Sequence, residues 1–124
     1  MKALMLLAPA LLAAQAAEPT GTLTLACEGT KINWVYSAKT SEPVSAGLVI
    51  DFPTGTISGF PYSLEAIVIQ ISKVDDALII FKYGGTYLQG FINRVTGELE
   101  AETTVALGYQ HQWSLKCKPT QRMF

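Results

Sequence analysis

Histidine is nearly absent from this chain, which has one among 124 residues, and cysteine occurs only twice. A zinc centre needs about four nitrogen or sulfur ligands, so the composition argues against one. Charge is also scarce and nearly balanced, with 9 Lys plus Arg against 10 Asp plus Glu. No basic excess marks a nucleic-acid or anionic-membrane partner. No segment reaches 18 uninterrupted apolar residues, so no helical membrane span is expected. No apolar pattern at helical spacing is sustained after the first 16 residues.

Those first residues, MKALMLLAPALLAAQA, have a secretory pattern. Lys2 supplies the positive start, Ala3 to Ala14 the apolar stretch, and Ala14-Gln15-Ala16 a small-x-small cleavage site. Residues 1–16 therefore read as a signal peptide and 17–124 as one mature domain, periplasmic or secreted. Without Lys2, 8 basic residues face 10 acidic ones, a formal charge of −2. Cys27 follows Thr24-Leu25-Ala26, well past the apolar run, so a lipid anchor is not expected. In an exported chain the pair Cys27 and Cys117 reads as a disulfide near the two ends of the domain.

Periods of two run through the mature chain. Leu23, Leu25 and Cys27 alternate with Thr22, Thr24 and Ala26, and Leu48, Ile50 and Phe52 alternate with Val49 and Asp51. Ile32, Trp34 and Tyr36 alternate with Lys31, Asn33 and Val35. This is the strand signature. Glu28-Gly29-Thr30, Pro53-Thr54-Gly55, Asp75-Asp76, Gly84-Gly85 and Thr96-Gly97 read as turns, and Ser37 to Ser45 as a short polar connection. The expected fold is all-β: an antiparallel meander of about eight strands forming a barrel or sandwich, with the disulfide pinning first strand to last.

Few groups suggest chemistry. Glu98, Glu100 and Glu102 share one face of a strand and read as its solvated side, because calcium needs 6–8 converging oxygens. His111 would be required by a Ser-His-Asp hydrolase. The nearest nucleophile pattern, Gly55 to Gly59 (GTISG), is one position off and lacks a strand-to-helix turn. A small secreted hydrolase is thus a remote alternative, and neither cofactor nor metal is expected. Aromatic residues mostly follow the phase of Ile and Leu and read as core, with Tyr83 and Tyr87 the candidates for exposed rings. Phe124 ends the chain as outer-membrane barrels commonly end. Here Arg122, Thr120, Lys118 and Lys116 occupy the positions that would face lipid, so such a barrel is not expected.

The stretches GTLTLACEGT, EPVSAGLVIDF, FINRVTGELEA and SLKCKPTQRMF together resemble an uncharacterised family of small exported alphaproteobacterial proteins. Its members show an I-x-R-V-T-G-x-L-x-A hairpin and a Cys-x-Pro-x-x-Arg-Met-Phe tail. The resemblance implies export and a β-rich domain, and no activity. Ser58-Gly59-Phe60-Pro61-Tyr62 is similar to the Ser-Gly-x-x-Tyr element of periplasmic c-type lysozyme inhibitors, which are disulfide-bridged β-barrels. The downstream Trp and Lys-Gly element of that family has no counterpart after Tyr62. That likeness implies a recognition loop at Ser58, Gly59 and Tyr62. The expectation is a non-enzymatic exported binding or envelope-associated protein, whose partner would be an envelope or extracellular protein. A lysozyme-type inhibitor is the alternative.

Overall fold

The computed structural model describes residues 21–62, 67–84, 87–104 and 108–120. The signal-peptide reading and Phe124 lie outside them. Among the described residues are eight strands and no helix: β1 (Thr22–Val35), β2 (Ala38–Asp51), β3 (Thr56–Ser58), β4 (Val68–Val74), β5 (Leu78–Tyr83), β6 (Leu88–Asn93), β7 (Glu98–Thr103) and β8 (Tyr109–Pro119). Each pairs antiparallel with the next, and β8 returns to β1, closing a barrel. The closing ladder runs from Leu25 opposite Pro119 to Val35 opposite Tyr109. Within it Cys27 stands opposite Cys117, and the two form a disulfide. No helix among the described residues is long and apolar enough to cross a membrane.

The expected strand count holds, but three boundaries do not. Glu28-Gly29-Thr30 is no turn, because β1 runs through it without a break, leaving Cys27 in mid-strand. Glycine is needed at 29 for close approach: a Cβ there would run into the carbonyl oxygen of Ser114 on β8. Since β1 never restarts, its inward phase carries on from Leu25 and Cys27 to Lys31 and Asn33. Ile32 and Trp34, read from sequence as core, therefore lie on the outer face.

The supposed connection Ser37 to Ser45 is also mostly strand, in β2. Proline is tolerated there for a definable reason. The Phe52 amide donates to the Gly21 carbonyl (3.1 Å). Alternation along an antiparallel ladder then gives the bonds toward β1 to even-numbered residues of β2. Pro43 faces away from β1, where no amide hydrogen is required. On that side β3 pairs only with Val49–Asp51. Thirdly, Cys117 does not end the last strand, because Lys118 and Pro119 still pair with β1.

The interior is filled in rows. One runs Lys31, Trp113, Ala101, Gly90, Phe81 across β1, β8, β7, β6 and β5. The small pair Ala101 and Gly90 separates two large rings, so both fit inside. A Cβ at Gly90 would strike the Glu100 carbonyl and Ala101. The next row is aliphatic: Leu115, Leu99, Ile92, Ile79 and Val74. Trp113, Phe81, Leu48, Ile50, Ile57, Ile69, Ile79, Leu88 and Leu99 are almost wholly buried. Each such side chain contributes roughly 1.5–3 kcal/mol relative to exposure. Glu98, Glu100 and Glu102 point outward and are exposed, while Leu99, Ala101 and Thr103 are buried. Asp75 forms the expected turn, its carboxylate accepting from the amides of Ala77 and Leu78 (both 2.8 Å). Those bonds hold its pKa below the ordinary carboxylate value.

Candidate functional site

One end of the barrel carries the aromatic and polar side chains that the packed interior cannot absorb. The β1–β2 turn, the end of β5 and the starts of β6 and β8 all reach this end. There Val35, Tyr36, Tyr87 and Tyr109 are exposed, Tyr36 the most at 74%. The rings of Tyr36 and Tyr109 are 6.0 Å apart. Tyr36 also has a positive φ of 57°, an uncommon conformation for a residue with a side chain. Two features hold it there: its amide bonds to the Gly108 carbonyl, and the absence of a Cβ on Gly108 leaves room for the ring.

Below this rim lies a second tier. Tyr62 is half-buried, with its ring 5.8 Å from Tyr87, 5.7 Å from Trp113 and 6.4 Å from His111. Burial pushes the Tyr62 phenol up, and a hydrogen bond and charge from Tyr87 act the same way. The ring presents an aromatic face with a hydroxyl as its polar end. Lys31 places its Nζ 5.3 Å from the Trp113 ring centroid, a cation–π geometry.

His111 sits in β8 opposite Asn33 of β1. The Asn33 amide nitrogen donates to Glu42 (2.8 Å), which leaves its oxygen to accept from His111 Nδ1 (2.7 Å). That chain fixes the proton on Nδ1. The His111 backbone amide donates to the buried Thr103 hydroxyl (2.9 Å). Burial lowers the His111 pKa, Lys31 adds to the lowering, and Glu42 opposes it. The unfolded chain accepts a proton near pH 6.5, whereas the folded one does so only at lower pH. Stability is therefore full above about pH 6.5 and falls as acidification passes that value toward the folded pKa. Thermal melts from pH 7.5 down to 5 are expected to show this decline, and the His111→Gln variant to show a shallower one. Equal slopes would contradict the assignment.

The residues of the sequence-read loop Ser58, Gly59 and Tyr62 part company. Ser58 ends β3 on the outer face and is exposed. Gly59, with φ of 90°, packs against the Gly47 carbonyl where a Cβ would not fit. Phe60 turns into the core, 5.0 Å from Trp113, and Tyr62 covers the barrel end. Of the two tyrosines expected at the surface, Tyr87 is exposed and Tyr83 packs against the core. Tyr36 and Tyr109 were missed as exposed rings. For Tyr109 the signal available was Gly108 directly before it, whereas Tyr36 falls in the apolar phase of Ile32 and Trp34, which pointed to the core. The contact of His111 with Asn33, 78 positions away, left no local trace.

Comparison with family models, with curated proteins and with solved structures gives no match for this chain.

Proposed function

We propose that this is an exported, non-enzymatic binding protein that recognises an envelope or extracellular protein through the tyrosine rim. The observation that carries the reading is the grouping of Val35, Tyr36, Tyr87 and Tyr109, all exposed, at one barrel end. Tyrosine offers a large amphipathic contact surface with little side-chain entropy to lose, which is why it is enriched in recognition surfaces. The hydrogen bond of His111 to Asn33 supports a structural use of the histidine. A disulfide, uncommon in reducing compartments, and the N-terminal pattern support export to the periplasm or beyond.

A lysozyme-type inhibitor is the second reading. It is the weaker one, because Ser58 lies exposed on the outer face while Tyr62 is half-buried against Trp113, so the two do not share one exposed loop.

Affinity capture from envelope and periplasmic extract tests both. A Tyr36→Ser/Tyr109→Ser double variant is expected to bind its partner roughly thirtyfold or more weakly, the loss typical of interface hot spots. Undiminished capture by that variant would overturn the rim reading. Loss confined to Tyr62→Ala, with a lysozyme as the captured protein, would establish the inhibitor instead.

A further inference from the structure

A second surface lies on the outer wall, away from the rim. The faces of β1, β5, β6, β7 and β8 form a shallow groove of about 520 Å³. That volume falls within the range of small-molecule sites. Ile32, Leu78, Ile80 and Phe91 supply its apolar surface, on the side of the sheet that ordinarily carries polar residues. Their phase is set by the neighbouring inward residues Ile79, Phe81 and Ile92, so they cannot turn inside without a register slip.

Glu100 and Glu102 also line this groove. Their ladder neighbours are uncharged: Phe91 and Ser114 flank Glu100, and Gln89 and Gln112 flank Glu102. Glu98, one position along the same face, differs in having Lys116 opposite it. Two carboxylates with no cation directly opposite them in the ladder therefore border an apolar trough with an aromatic ring. From this geometry we infer that the groove binds a small amphipathic cation, an apolar chain or ring ending in an ammonium group. The apolar body would lie over Phe91, Ile80 and Leu78, and the ammonium between Glu100 and Glu102, where charge complementarity selects against anions.

The test uses three probes of one chain length: n-octylammonium, n-octanol and octanoate. Each is titrated into the isotopically labelled protein, and amide shifts are followed by NMR. Octylammonium is expected to shift amides of β5 to β8 saturably, octanol more weakly and octanoate least. Replacing Glu100→Gln and Glu102→Gln together is expected to weaken octylammonium about three- to tenfold at low salt, less as salt is raised. Phe91→Thr should weaken octylammonium and octanol alike. Both exchanges are at surface positions of strands, and retained shift dispersion checks folding. Equal binding of octanoate, an unchanged affinity in the double carboxamide variant, or shifts confined to the rim would overturn the assignment. So would a concentration-dependent dimer that the same variant dissociates, which would give the groove to a second copy of the chain.

Discussion

Replacing Cys27 and Cys117 together by alanine is expected to destabilise the fold by about 4–5 kcal/mol, on the loop-entropy account of a disulfide. The bridge spans 90 positions, and it joins the two strands whose pairing closes the barrel. Without it the β1–β8 ladder must form between segments at opposite ends of the domain, at the full entropy of closing that loop. Small domains have only about 5–15 kcal/mol of total stability, so the variant should be folded but far more easily unfolded. Urea unfolding of the wild type with and without reductant, beside the double variant, checks this. Coincident midpoints would show that the ladder closes the barrel unaided.

The second large effect is expected at Trp113. Its side chain is 2% exposed and meets Phe60, Tyr62, His111 and Lys31. Trp113→Ala should cost about 3–5 kcal/mol, combining lost burial with the cavity left behind. The site has little means of collapsing from the β7 side, because the next residues of the inner row there are Ala101 and then Gly90. Trp113→Phe should cost a smaller part of that. The Trp113 Nε1 has no hydrogen-bond partner among the described residues, so an apolar ring in its place breaks no such bond. Denaturation of the two variants separates the cases: similar losses would mean that ring size and packing do not govern the site. Trp113→Ala should also loosen Tyr62, linking the core to the rim above it.

The alternation of Leu48 with Ile50 and of Leu99 with Ala101 made the inward face readable, because one buried face imposes a strict period of two. The disulfide was readable from the even cysteine number and the secretory pattern of the first residues. What misled the reading was Gly29. A glycine after a polar residue looks like a turn, yet here it answers to the neighbouring β8 backbone. That single difference inverts the faces of Lys31 to Trp34, placing Lys31 and Asn33 inside and Ile32 and Trp34 outside. Both surfaces described above depend on this inversion: Asn33 anchors His111 under the rim, and Ile32 borders the outer groove. The polar stretch Ser37 to Ser45 misled in the same direction: most of it is strand, and Pro43 is tolerated there because its nitrogen faces away from β1. The groove itself was legible only in part. The outward row of glutamates could be read from their spacing, whereas the apolar residues beside them come from strands whose register only the closed barrel defines.

Recognition through the rim is tested most directly by site-specific photo-crosslinking. A benzophenone amino acid is placed at position 36, on the rim, or at position 95, in the β6–β7 turn at the opposite end. Tyr36 and Val95 are 74% and 80% exposed, so accessibility does not separate the two probes. Irradiation in envelope extract is expected to trap a defined protein from position 36 and not from position 95. Trapping from position 95 alone, or equally from both, would contradict recognition by the tyrosine rim.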